Sequence, residues 1–94
     1  MKVIKRDGHT VDFDRMKIVV AIQKANAAVD PEYRIDQERI DAIADAVGAL
    51  HRPRLLVEDI QDMVERKLME SGKYELSKAY ILYRYLRSLA RKQN

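Results

Sequence analysis

Lys5 and Arg6 stand beside the dipeptide Asp7-Gly8, and Lys17 follows shortly after Phe13-Asp14, a grouping of cations suited to capturing a phosphorylated ligand. Asp-Gly between the short runs Val3-Ile4 and Val11-Phe13 is a strong hairpin signal, because a type I′ turn needs positive φ at two residues and Asp and Gly tolerate it. Lys5 and Arg6 are therefore expected beside a rigid turn. Asp14 is placed to N-cap the helix that follows, with Phe13 and Ile18 forming a hydrophobic staple. Lys17 then falls in the first helical turn, where the dipole favours anions, and a bound phosphate would repair that mismatch. Ordinary surface charge is the other reading: one first-turn Lys costs only about 0.3–1 kcal/mol, which Asp12 or Asp14 can offset. These residues alone leave both readings open.

The elements that must position these cations read as helices. Ile18, Ile22, Ala25 and Val29 recur at helical spacing, and Asp30-Pro31 ends that first helix because proline disfavours the α conformation in the residue before it. Asp36 caps a second helix, with Ile35 and Ile40 as its staple, that runs through Ile43, Ala44 and Val47 to about Leu50. His51-Arg52-Pro53-Arg54 reads as a loop. A third helix spans about residues 57–71, opens with Glu58 and Asp59 where the dipole wants acids, and closes at Gly72. A fourth starts near Tyr74 and carries Leu76, Ala79, Tyr80, Tyr83, Leu86 and Ala90 on one stripe, with Arg84, Arg87 and Arg91 on its other side. The expected fold is mainly α with a small β cap, a bundle of about four helices covered by the N-terminal hairpin, forming one domain over residues 1–94. Strict strand alternation would send Lys5 and Arg6 to opposite faces, so both meet one ligand only if the pleat breaks at the turn or the long Arg6 side chain wraps back, and the second is expected.

Composition narrows the chemistry. The absence of cysteine excludes zinc ribbons, thiol catalysis and iron–sulfur clusters within this sequence. No apolar run approaches a membrane span and the N-terminus is no signal peptide, which gives an expectation of a cytoplasmic domain without membrane contact. The balance of 18 basic and 15 acidic residues, net +3, is too even to imply nucleic acid, although both ends are basic. Glu58, Asp59, Asp62 and Glu65 read as dipole partners rather than a catalytic pair, and neither His9 nor His51 has the company of a metal ligand. Tyr80 and Tyr83 belong to the apolar stripe and Tyr85 to the surface, while Arg84, Arg87 and Arg91 are by themselves the usual complement to a helix C-terminus. No nucleophile and base are arranged for catalysis, so the chain is expected to be no enzyme.

Four blocks in order carry a family resemblance: Val3…Lys5-Arg6-Asp7-Gly8; Phe13-Asp14 with Lys17-Ile18; Val57-Glu58-Asp59-Ile60 with Val64-Glu65 and Leu68-Met69; and Ala79-Tyr80-Ile81-Leu82-Tyr83-Arg84…Arg87. Over nearly the whole chain they resemble the ATP-cone domain, the N-terminal regulatory module of many ribonucleotide reductases that also occurs in a bacterial repressor of reductase genes. The Tyr-Ile-Leu-Tyr-Arg block is most similar to the anaerobic, glycyl-radical class. The resemblance implies a helical bundle under a β cap that binds ATP or dATP with Mg2+ and controls the activity and oligomeric state of a reductase. The implied partners are adenine nucleotides, a reductase catalytic domain and, depending on nucleotide, a second copy of the domain. Carried over by position, Val3 is expected to touch the base, Lys5 and Arg6 the phosphates, and Lys17 the phosphates from the first helix. Asp14 stands where relatives help to read the ligand. Val57 and Gln61 fall where other members place a Thr and a His against the nucleotide. Arg87 lies where a basic residue of the last helix reaches the phosphates, with Arg84 one turn earlier. The sequence departs from the aerobic pattern at Val11, Val57 and Gln61. Two other classes remain beside this one: a small nucleic-acid-binding or transcription-regulatory helical module, and a protein-interaction bundle whose cations only solubilise it.

Overall fold

Val3 is the residue around which the N-terminal cap is built. In a computed structural model, which describes residues 1–92 with side chains through residue 90, it lies at the centre of strand β1 (Lys2–Ile4) and is buried. On one side β1 pairs antiparallel with β2 (Thr10–Asp12), Val3 opposite Val11; on the other it pairs parallel with β3 (Arg54–Leu56), Val3 opposite Leu55. The cap is thus a three-stranded sheet in the order β2-β1-β3, not a lone hairpin. The third strand starts at Arg54, the last residue of the expected loop, and runs on through Leu55 and Leu56. A two-stranded hairpin is marginal in water and exposes an unpaired edge, and β3 covers that edge while burying Leu55 in the core. Backbone bonds fasten both margins: Lys2 N donates to Pro53 O at 2.9 Å and Phe13 N to Met1 O at 2.9 Å.

The helices follow their caps. Asp14 accepts from Met16 N at 3.0 Å and starts α1 (Arg15–Ala27); Asp36 accepts from Arg39 N at 2.8 Å and starts α2 (Gln37–Gly48). Helix α1 stops before Asp30-Pro31, which instead open a single 3-10 turn at Pro31–Tyr33. The Asn26 side chain clips this connection, donating to Ile35 O at 2.8 Å and accepting from Ile35 N at 3.1 Å. Arg34 Nε reaches the carbonyls of Asn26 and Val29 at 2.9 and 3.1 Å, satisfying acceptors that the end of α1 leaves open. Helix α2 ends at Gly48, two residues short of the expected Leu50, and the chain turns through His51 at φ 52° into β3. Helix α3 (Val57–Glu70) then begins with no intervening loop. Its N-cap is Leu56, which offers no side-chain acceptor, so Glu58 and Asp59 in the first turn carry the compensation. Gly72, at φ 79°, takes the left-handed position after α3 and leads into α4 (Tyr74–Lys92).

The core collects Ile18, Val19, Ile22 and Ala25 of α1, Ile40, Ile43, Ala44 and Val47 of α2, Ile60, Val64 and Leu68 of α3, and Leu76 and Tyr80 of α4, beneath Val3 and Leu55. Helix α1 packs between α2 and α4, and α3 packs on α4. The expected stripe on α4 is buried only in its first half. Tyr83 is half-buried, and Leu86 and Ala90 are exposed. At 19 residues α4 is longer than α1 with 13 and α3 with 14, so its last turns run past the partners that bury its start.

Candidate functional site

The turn between β1 and β2 decides where Arg6 goes. Strand β1 ends at Ile4; Gly8 N donates to Lys5 O at 2.9 Å and Lys5 N to His9 O at 2.8 Å, with Gly8 at φ 92°. Gly8 alone of this turn has a positive φ. The loop is therefore the three-residue hairpin form with one left-handed residue, rather than the expected type I′ turn. Asp7 has no need of positive φ here, because its carboxylate folds back to accept from His9 N at 3.1 Å and from the His9 ring. Those bonds hold the Asp7 carboxyl below its usual range. Arg6 consequently sits in the turn, beyond the reach of strand alternation. The pleat breaks before it, so the side chain does not have to wrap back from the wrong face of a strand.

Arg6 crosses to the ends of α3 and α4. Its Nη1 donates to Ser88 Oγ at 2.7 Å, its Nη2 to Gln61 Oε1 at 3.4 Å, and its Nε faces Glu58 Oε1 at 3.3 Å. Gln61 Oε1 also accepts from Arg84 Nη1 at 3.0 Å, and Arg84 Nη2 pairs with Glu65. The Arg84 and Glu65 side chains are 24% and 17% exposed, against 44% and 64% for Arg6 and Glu58, so the cluster grades from a sheltered base to a wet rim. Arg84 Nε is buried without a hydrogen-bond partner among the described residues. Three of the expected residues, Arg6, Gln61 and Arg84, are thus joined through one amide oxygen although they come from the turn, α3 and α4.

The other expected residues surround this group or stand apart from it. Lys5 is half-buried at the end of β1. Lys17 is exposed in a first turn of α1 that contains no acid, and its side chain makes no hydrogen bond or ion pair among the described residues. The Asp14 carboxylate caps α1. Val3 is buried in the core, and Val57, the first residue of α3, packs half-buried against it. Arg87 turns onto Tyr83, donating to its hydroxyl at 3.3 Å with the guanidinium 6.0 Å from the ring centroid. The Arg91 side chain lies outside the described residues. Tyr80 lies below the cluster, and burial pushes its phenol up to about 12, aided by the charges of Glu65 and Asp62 against the opposing charge of Arg84.

Glu65 and Ser88 were not foreseen as members of this site, and Glu58 was read only as a dipole partner. A signal existed in their spacing. Glu58, Gln61 and Glu65 stand at i, i+3 and i+7 on α3, and Arg84 and Ser88 at i and i+4 on α4, so each helix carries a polar stripe beside its apolar one. The arrangement can hold an anion with forked guanidinium donors, and among the described residues no three His, Cys, Asp or Glu side chains cluster. No helix among those residues is long and apolar enough to cross a membrane.

The chain is similar to known proteins over most of its length. The chain is 38% identical to the alpha subunit of ribonucleoside-diphosphate reductase from Chlamydia muridarum, over 97% of this chain and 10% of that protein. It is 38% identical to the anaerobic ribonucleoside-triphosphate reductase of Haemophilus influenzae, over 97% of this chain and 13% of that protein. The vitamin B12-dependent ribonucleoside-diphosphate reductase of Thermoplasma acidophilum is 40% identical, over 98% and 12%. The chain therefore spans about a tenth of the length of these relatives. A match to the ATP cone domain covers residues 1–89, taking in the turn, the α3 stripe and Arg84 together, and the chain belongs to that family.

Proposed function

We propose that this domain senses adenine nucleotides, binding ATP or dATP through the phosphates without hydrolysing them, and that it serves as a regulatory module of a ribonucleotide reductase. The observation that carries the reading is the convergence of Arg6 and Arg84 on Gln61, with Lys5 adjoining in the chain. A polyphosphate suits forked guanidinium groups, and the exposed rim admits it. Lys17 and Arg87 supply further positive charge. Mg2+ would arrive on the phosphate oxygens, since the described residues offer no metal cluster of their own. Regulation then takes the form of linkage: nucleotide shifts the contacts of this domain with a catalytic domain or a second copy only by binding one arrangement better.

Calorimetric titration with MgATP, MgdATP and AMP tests the binding. The triphosphates are expected to bind and AMP to bind far more weakly, because each lost phosphate leaves cations unpaired. A ligand at a hundredfold excess over its dissociation constant stabilises the fold by about 2.7 kcal/mol, visible as a thermal shift. No heat and no shift at millimolar nucleotide overturn the reading. Displacement of ATP by a single-stranded oligonucleotide, with affinity falling steeply in salt, would replace it with nucleic-acid binding. Light scattering with and without nucleotide tests self-association.

A further inference from the structure

All three nitrogens of the Arg6 guanidinium are engaged, Nε by Glu58, Nη1 by Ser88 and Nη2 by Gln61. Glu58 and Gln61 between them occupy the Nε–Nη2 edge, one of the two forks with which arginine grips an oxyanion side-on. Gln61 and Ser88 are neutral. Glu58 is the partner that carries charge, so its carboxylate stands where an anionic oxygen of a ligand would stand. The stability of α3 does not require this contact, because an acid in the first turn compensates the dipole wherever its side chain points, and Asp59 does so while making no hydrogen bond or ion pair among the described residues.

We propose that Glu58 is a built-in competitor for the phosphates: it holds the Arg6 fork in the ligand-free domain, must be displaced when a polyphosphate binds, and so sets both the affinity and the selectivity for ligand charge. The inference rests on the nucleotide reading given above. The pair is largely exposed, which makes it readily exchanged and confines the effect to a few-fold. Once displaced, the Glu58 carboxylate remains beside the phosphates as a like charge. Its penalty therefore grows with the number of ligand charges.

The test is calorimetric titration of the full chain and of its Glu58→Gln and Asp59→Asn variants with MgATP, AMP and inorganic tripolyphosphate. Glu58→Gln is expected to tighten MgATP and tripolyphosphate about two- to fivefold and to leave AMP nearly unchanged. Asp59→Asn removes the same charge from the same helical turn and is expected to change all three ligands by less than twofold. That control separates loss of a competitor from a weakened α3. Equal tightening of ATP and AMP, or equal effects of the two substitutions, would reduce Glu58 to background electrostatics and overturn the proposal. Wild-type binding of MgATP with no gain in Glu58→Gln overturns the competitor alone and leaves the nucleotide reading standing. Tripolyphosphate binding that tightens in Glu58→Gln, with no response to ATP in either protein, supports the competitor and removes the nucleotide. Silence from every protein with every ligand removes both.

Discussion

Arg15 and Arg84 each tie one helix to another, yet they do so under different charge balances. Arg15 on α1 faces two carboxylates of α2, its Nε 2.6 Å from Asp45 Oδ1 and its Nη2 2.9 Å from Asp41 Oδ1. Both hydrogen bonds push its already high proton affinity higher. There the acids outnumber the cation and nothing is left to attract an anion. Around Arg84 the cations are no longer outnumbered by their direct partners. Arg84 and Arg6 meet Glu65 and Glu58, while Lys5 adjoins Arg6 in the chain and Arg87 follows one turn along α4. The same residue type thus acts as a rivet where carboxylates are in excess and, in the function proposed above, as the floor of a nucleotide site where cations gather. The difference is one of local stoichiometry, which the net charge of +3 does not convey.

Removing the sheltered carboxylate should break the comparison most severely. Glu65→Ala leaves the Arg84 charge without its partner. Severing a fully buried pair costs about 3–5 kcal/mol. Here the side chains keep 24% and 17% of their exposure, so a loss of about 2–3 kcal/mol is expected in urea denaturation. Arg15→Ala, at the wetter rivet, should destabilise by clearly less and leave nucleotide affinity unchanged.

Alkaline pH should act next, and on the α3–α4 side. The folded phenol of Tyr80 is pushed up to about 12 from its ordinary value of 10.0, so the stability due to its neutral form is complete below pH 10 and is lost as pH rises through 12. The loss is about 2–3 kcal/mol, read as a falling denaturation midpoint, and Tyr80→Phe should flatten that decline. At the rim, Arg6→Ala should weaken MgATP about tenfold, or about 1.4 kcal/mol, and alter ligand-free stability by less than about 0.5 kcal/mol. An unfolded Arg6 variant would make the rim as structural as the rivet. The smallest expected effect is a gain: Lys17→Ala should stabilise the ligand-free domain by about 0.3 kcal/mol, by removing a cation from the start of α1, while weakening the triphosphate.

What was legible in the sequence was local. Asp14, Asp36 and Gly72 announce helix ends because a cap satisfies backbone groups within a few residues of itself, and all three perform that role. Strand β3 was not legible, because three residues between Pro53 and a helix show no period and their pairing depends on an open edge about fifty residues earlier. The turn was legible in place but not in type, since Asp7 satisfies its surroundings with its carboxylate rather than with a left-handed backbone. Of the site, the cations could be picked out by kind. Their partners were harder to pick out: Glu58, in the first turn of α3, already has a sufficient explanation in the dipole, and Glu65, two turns further on, shows only in the spacing of the polar stripe. The pairing of Arg6 with Ser88, 82 residues apart, is a product of the tertiary fold alone.

The parallel pairing of β1 with β3 also orders events in time. A β2-β1 hairpin is a local structure that forms on the microsecond scale, but it cannot dock until residues 54–56 exist and α1 and α2 have closed the long loop between them. During synthesis β1 therefore waits for about fifty further residues before its second neighbour exists. The last contact, from Arg6 to Ser88, waits for 82 residues. A ligand gripped by Arg6 and Arg84 together is accordingly a ligand for the finished domain, and in hydrogen exchange its protection should spread over the strands and α4 alike instead of stopping at the turn.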